Sequence, residues 1–176
     1  MEINLSAPVQ LRADPQEADL FQLAEQLGSL LLARSWRVSC AESCTGGGIA
    51  YAITSVAGSS AWFDKSWVTY ANEAKQNEIN VDEDVLQNFG AVSAQTAEQM
   101  VTGVKVNSGA QVAVSVTGIA GPGGGSAEKP VGLVWFGFDV NGTQQVVSQQ
   151  FLGDRGQVRR QAIAFALANL IEQLVA

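Results

Sequence analysis

The sequence contains no histidine. That absence removes the Ser-His-Asp and Cys-His mechanisms, and with them every histidine-ligated zinc site. Cysteine is scarce. Cys40 and Cys44 are the only two, and they lie so close in sequence that a bridge would close a tiny loop. They read as reduced, small, buried thiols, the usage of a cytoplasmic protein. A C-x-x-x-C pair with no further ligands makes no metal site. Basic residues are also few: ten Lys and Arg against 17 Asp and Glu give a net charge of −7. A nucleic-acid partner would require a basic face to neutralise phosphates, so none is expected. No stretch of about 18 uninterrupted apolar residues is present to cross a bilayer. The segment from Met1 to Glu17 lacks the apolar core and small-residue cleavage site of a secretory signal. The expectation is a soluble, cytoplasmic protein with no membrane partner.

What is present is a globular composition, 47% hydrophobic and 15% charged over 176 residues, enough for one domain with a core of its own. Residues 1–15, with Pro8 and Pro15, read as a flexible leader, and 16–176 as a single domain. From Gln16 to about Ser35, Leu20, Leu23, Ala24, Leu27, Leu30 and Leu31 recur at helical spacing. A strand follows at Arg37–Cys40, then a Gly-rich turn and a helix to about Ser55. Trp67–Ala71 reads as a strand, and Asn72 as the N-cap of a short helix. Ser93 caps a helix reaching about Asn107. The nearly all-apolar Gln111–Thr117 has the profile of a buried central strand. Val131–Val140 and Gln144–Gly153, parted by Asn141-Gly142, give the strongest hairpin signal in the chain. A last helix runs from Arg155 to about Leu174.

Alternating helices and strands with one hairpin predict an α/β fold: a three-layer α/β/α sandwich around a mixed, mostly parallel sheet with a β-hairpin. Trp62, Phe63, Trp67, Trp135, Phe136 and Phe138 are read as core or subunit-interface residues rather than a stacking platform for a ligand. Val131–Val140 carries aromatic residues on both faces, which calls for cover on both sides. A homodimer is expected.

Three loops at strand ends hold the candidate chemistry: Glu42–Gly48, Tyr70–Lys75 and Thr117–Gly125, and ligands bind at the carboxyl ends of strands in open α/β sheets. In the first, a strand enters a helix through Ser, Thr and Gly. Its N–H groups around Thr45, Gly46 and Gly47 could hold an anion or a developing oxyanion beside Ser43, or serve a plain N-cap. Without histidine a serine nucleophile needs another base. A lysine whose neutral form is accessible can act, and Lys75 leads, being placed by a strand and short turn to reach Ser43; an ordinary solvated helix lysine is the alternative. Glu42 as base and Cys44 as nucleophile rank lower, because strand neighbours point to opposite faces and because Cys44 has no histidine partner. The third loop, with Thr117, Gly118 and Gly121, offers backbone N–H groups to a phosphate or forms a surface turn. It lacks the P-loop pattern, so no ATP site is indicated. Arg155 is either an anion anchor or a surface ion pair, and Arg159 and Arg160 are weaker versions of the same.

Seven motifs occur in order: Ala41-Glu42-Ser43-Cys44-Thr45-Gly46-Gly47, Gly58-Ser59-Ser60, Val68 to Lys75, Gly90-Ala91-Val92-Ser93, Thr117 to Pro122, Lys129-Pro130-Val131-Gly132 and Gly153-Asp154-Arg155. The series resembles the C-terminal domain of the competence/damage-inducible CinA family over roughly residues 17 to 175. Stand-alone members of that family are nicotinamide-nucleotide amidohydrolases. The larger members carry an additional molybdopterin-binding-like domain, for which this sequence is expected to have no room. The resemblance implies a serine amidase with Ser43 as nucleophile, Lys75 as its base and Tyr70 close by to orient or relay. Its substrate would be a pyridine mononucleotide, with Arg155 turned toward it, and no metal or organic cofactor is needed. Two other readings stand beside this one: a non-catalytic nucleotide-sensing or partner-binding module of the same fold, and a Ser-Lys amidase or peptidase acting on another substrate.

Overall fold

A computed structural model describes residues 11–176 of the protein. Most of the expected leader, residues 1–10, lies outside the described residues. Where the leader is described it is held down: the Arg160 guanidinium donates to Pro15 O at 3.0 Å and pairs with the Asp14 carboxylate at 2.9 Å.

The elements in chain order are α1 (Glu17–Arg34), β1 (Val38–Glu42), α2 (Gly48–Thr54), a 3-10 turn (Ser59–Ala61), β2 (Phe63–Val68), α3 (Asn72–Ile79), α4 (Glu83–Phe89), α5 (Ala94–Ser108), β3 (Val112–Gly118), β4 (Leu133–Val140), β5 (Thr143–Gln150) and α6 (Arg155–Val175). The five strands form one sheet in the order β2-β1-β3-β4-β5. β1 pairs parallel with both β2 and β3, and β3-β4 and β4-β5 pair antiparallel. The sheet is therefore mixed with equal numbers of parallel and antiparallel pairings, and β4 alone runs against the other strands. "Mostly parallel" holds for strand direction and not for the pairings.

Strand alternation sends the two sheet faces into different cores. Val38, Cys40, Val112, Val114, Val116, Val134, Phe136 and Phe138 face α1, α2 and α6. Ala41 and Ala113 face α5, with Met100, Val101, Val104 and Ile79. On the second face the sheet is built from small residues so that α5 lies close. A Cβ on Gly137 would sit 2.5 Å from Ala97 O, and Ser115 Oγ donates to that same carbonyl at 2.7 Å. Helices on both faces make the three layers. Phe136 stacks on Phe138 and meets Phe165 of α6 at 4.8 Å between ring centroids, so both phenylalanines are core. Trp62 is buried against Gly28 of α1, and Trp135 on the opposite face of β4 stays half-buried.

Several local signals act as read. Asn141 and Gly142, at φ 51° and 91°, make the tight β4-β5 turn whose twist suits a hairpin. Ser93 Oγ accepts from Thr96 N at the start of α5, and Asp154 with Gln157 forms a capping box on α6. Others shift. The expected strand at Trp67–Ala71 begins earlier, at Phe63, because β2 is an edge strand whose Asp64 and Lys65 mask its pattern. Asn72 is the first residue of α3, and Ala71 is the cap residue, with no side-chain bond. The long first hairpin strand loses Val131 and Gly132 to the turn before it, where Gly132 has φ 92°.

Candidate active site

β1 ends at Glu42, and the backbone turns at once. Ser43 N still donates to Val116 O of β3 at 3.0 Å, and Thr69 N just beyond β2 donates to Glu42 O at 2.9 Å. The sheet thus holds Ser43 between its two neighbouring strands. Thr69 leads directly into α3, whose first turn carries Lys75. This is how residues 32 positions apart in sequence come together: Lys75 Nζ lies 3.2 Å from Ser43 Oγ. The amine also donates to Thr69 O at 2.7 Å and reaches Tyr70 O at 3.4 Å.

The surroundings of Lys75 decide its chemistry. The side chain is only 1% exposed and forms no salt bridge among the described residues. Burial disfavours its ammonium form and lowers its pKa from 10.5 to about 8. Two of its three polar neighbours are carbonyls, which only accept. A neutral amine has two N–H groups for those two carbonyls, and its lone pair is then left for the Ser43 hydroxyl proton. The geometry suits proton abstraction from Ser43.

The neighbouring groups are assigned elsewhere. Glu42 is fully buried and its carboxylate accepts from Thr45 Oγ1 at 2.6 Å, Gly47 N at 3.1 Å, Ile49 N at 3.0 Å and Ala50 N at 2.9 Å. It points into α2, away from the role of base. The Cys44 thiol is raised to about 12, by burial first and with a further contribution from nearby Glu42, and burial raises Cys40 well above its ordinary value. Both cysteines are free thiols. Neither is disposed to ionise.

A cleft of about 260 Å³ opens in front of Ser43, lined by Cys44, Tyr70, Arg155 and the Gly118–Gly124 loop. Of the expected site residues the structure brings Ser43, Tyr70, Gly118, Gly121 and Arg155 to this cleft, with Lys75 behind Ser43. Arg155 donates to Gly121 O at 2.9 Å and to the Tyr70 hydroxyl at 3.0 Å. The Tyr70 hydroxyl therefore faces Arg155, and it is the Tyr70 carbonyl that touches the lysine. A Cβ on Gly118 would lie 2.8 Å from Leu133 O, so the strand end tolerates no side chain there.

Four expected residues are not on the cleft wall. Thr45 is fully buried with its hydroxyl on Glu42. Gly46 N donates to Ser43 O at 3.0 Å, and Gly47 N is taken by Glu42. Thr117 is buried, and its hydroxyl donates to Ala91 O at 2.7 Å, anchoring the loop ahead of α5. The N–H groups of the turn without an acceptor among the described residues are those of Cys44 and Thr45, which follow Ser43, and of the two only Cys44 lines the cleft. Arg159 sits beneath the turn and donates to Thr45 O at 2.8 Å. The role of Glu42 was not read from sequence, although a glutamate ending a strand just before Ser-x-Thr-Gly-Gly is placed to reach the N-terminus of the next helix.

Among the described residues no cluster of His, Cys, Asp or Glu could hold a metal ion, and no helix is long and apolar enough to cross a membrane.

Comparison with known proteins returns one consistent result. The profile of the CinA C-terminal domain matches residues 20–174. The chain is 53% identical over 160 residues to the nicotinamide-nucleotide amidohydrolase PncC of Enterobacter agglomerans, covering 90% of this chain and 98% of that protein. It is 49% identical over 160 residues to the protein of the same name from Escherichia coli K12, covering 90% and 97%. The crystal structure of the competence/damage inducible protein CihA from Agrobacterium tumefaciens superposes with a TM-score of 0.86 at 44% identity, covering 93% of this chain and 98% of that one.

Proposed function

The chain belongs to the CinA C-terminal domain family, and from that premise we propose that it is a nicotinamide-nucleotide amidohydrolase working through a Ser43-Lys75 dyad. The observation that carries the mechanism is the buried Lys75 amine 3.2 Å from Ser43 Oγ. The substrate class is that named for its relatives at 48–53% identity.

Neutral Lys75 takes the Ser43 proton as Oγ attacks the carboxamide carbon of nicotinamide mononucleotide. The negative charge gathering on the carbonyl oxygen is met by the N–H group of Cys44, which follows Ser43 and lines the cleft. The Lys75 ammonium returns its proton to the departing nitrogen, the C–N bond breaks, and ammonia leaves an ester on Ser43. Lys75 then takes a proton from water, which attacks the ester, and returns it to Ser43 Oγ as the ester C–O bond breaks, giving nicotinate mononucleotide, free Ser43 and neutral Lys75. Every proton in this cycle passes through one amine.

Tyr70 orients Lys75 through its carbonyl and Arg155 through its hydroxyl. Arg155, with backbone N–H groups of the Gly118–Gly124 loop, anchors the phosphate. Gly118 and Gly121 let the loop approach closely, Thr117 fixes its strand, and Thr45, Gly46 and Gly47 shape the nucleophile turn. The same reading makes the protein cytoplasmic, in keeping with two free cysteines, and homodimeric. The half-buried Trp135, with Leu133 and the exposed Phe89, lines an apolar face on the α5 side of β4 that a second copy would cover. Sedimentation at micromolar concentration should give a particle of twice the chain mass; a monomer would remove the dimer.

Incubating the purified protein with nicotinamide mononucleotide and assaying ammonia tests the function. Release is expected with and without a chelator. No release at any pH between 6 and 10 would overturn the amidohydrolase reading.

A further inference from the structure

Four of the donors that meet on Glu42 come from the turn and the start of α2, and they are nearly all that this helix start has to offer. An α-helix leaves its first N–H groups without intrahelical partners, and they form a natural anion site. Here Gly48 N donates to Thr45 O, while Gly47 N, Ile49 N and Ala50 N all donate to the Glu42 carboxylate, joined by Thr45 Oγ1. The anion that the helix attracts is supplied by the chain itself. No Lys or Arg pairs with Glu42 among the described residues, so the buried carboxylate is held by these four donors, by the Cys40 thiol at 3.8 Å and by the positive end of the helix.

This arrangement fixes more than the helix. Glu42 and Ser43 are consecutive, and the donors Thr45 and Gly47 belong to the turn that carries the nucleophile. With Gly47 N and Thr45 Oγ1 held from the sheet side, and Thr45 O held by Arg159 at 2.8 Å from the α6 side, the turn is clamped from both directions. Its unused N–H groups, those of Cys44 and Thr45, are left next to Ser43. We propose that Glu42 is a positioning residue for the Ser43-Lys75 reaction: its buried carboxylate occupies the start of α2 and thereby sets the turn that presents Ser43 Oγ to Lys75 and leaves the N–H group of Cys44 at the cleft for the reacting oxygen. The proposal rests on the dyad reading above.

The test uses Glu42→Gln, which keeps the side-chain volume but turns one acceptor into a donor facing N–H groups, and Thr45→Val, which deletes a single donor from the network. Two readouts are taken well below each melting temperature: kcat and KM for ammonia release from nicotinamide mononucleotide, and the rate at which a fluorophosphonate labels Ser43, followed by intact mass and peptide mapping. For Glu42→Gln the expected result is a fall in kcat of about tenfold to a hundredfold, as for a sub-ångström misplacement of reacting atoms, with KM nearly unchanged. Labelling of Ser43 should slow in parallel. Thr45→Val should give a smaller loss of the same kind, and it decides the matter if Glu42→Gln does not fold. Variants that melt earlier yet keep wild-type kcat and labelling would overturn the proposal, because Glu42 would then serve stability alone. A wild-type protein that releases ammonia but is not labelled at Ser43 would remove the dyad, and the positioning role with it. Labelling of the wild type at Ser43 with equal labelling of the variants removes only the role of Glu42.

Discussion

Lys75 Nζ stands 3.2 Å from Ser43 Oγ and 2.7 Å from Thr69 O, so one side chain joins the end of β1 to the end of β2. The lysine is buried without a carboxylate partner among the described residues, and its lowered pKa of about 8 follows from that burial. As the base must be neutral, kcat/KM should rise with pH along a limb centred near 8 and level off above it. A pH–rate profile that is flat from pH 6 to 9 would exclude Lys75 as the titrating base.

The same burial has a stability consequence. The folded-state pKa of Lys75 lies below its unfolded value near 10.5, so between about pH 8 and 10.5 the unfolded chain binds more protons and this residue's contribution to stability rises with pH. Below pH 8 the penalty is constant. Lys75→Met removes it, and should raise the melting temperature at pH 7 by a few degrees, given about 2–4 °C per kcal/mol for a chain of this size, while abolishing turnover. A destabilised Lys75→Met protein would mean that the amine's hydrogen bonds outweigh its desolvation.

Arg155 bridges Gly121 O and the Tyr70 hydroxyl at the mouth of the cleft. Arg155→Ala should impair action on the mononucleotide about ten- to a hundredfold more than on the dephosphorylated nucleoside, since a charged hydrogen bond contributes roughly 1.5–3 kcal/mol. Equal losses on both substrates would make it a loop clasp rather than a phosphate anchor.

The cysteines give a negative control on the nucleophile. With Cys44 raised to about 12 and buried beside Ser43, iodoacetamide at pH 8 should leave both thiols of the native protein unmodified and its activity intact. Rapid alkylation of Cys44 in the folded state would reopen it as the attacking atom.

Gly103 tests the packing beneath the site. A Cβ there would overlap the Ile79 carbonyl oxygen at the crossing of α3 and α5. Helix propensity alone favours Gly103→Ala by about 1 kcal/mol. The close backbone contact should reverse the sign and destabilise by roughly 1–3 kcal/mol, as overpacking does. Denaturant melts decide between the two.

The layers and the hairpin were legible because each has a local cause: helical spacing in α1 and α6, and Asn141-Gly142 between two strands. The lack of histidine made Lys75 a candidate base for Ser43, and the resemblance of the ordered motifs to the CinA family singled out the pair, which the fold brings to 3.2 Å. The edge strand β2 and the short α4 were harder to read. Asp64 and Lys65 break the apolar pattern of β2, and the first turn of α4 is acidic, with Leu86 its one buried residue. Thr45, Gly46, Gly47 and Thr117 were expected at the cleft because Ser, Thr and Gly at strand ends suit ligand contact. Which of their donors remain free depends on Glu42 and on the Ala91 carbonyl, partners that only the folded chain brings near.

The most direct measurement is ammonia release from nicotinamide mononucleotide at pH 8.5 by wild-type protein beside Ser43→Ala, with folding of the variant verified by its thermal melt. The expected result is turnover by the wild type and a loss of about a thousandfold or more in Ser43→Ala, the scale seen when a nucleophile is removed. Wild-type turnover by a folded Ser43→Ala protein would contradict the dyad.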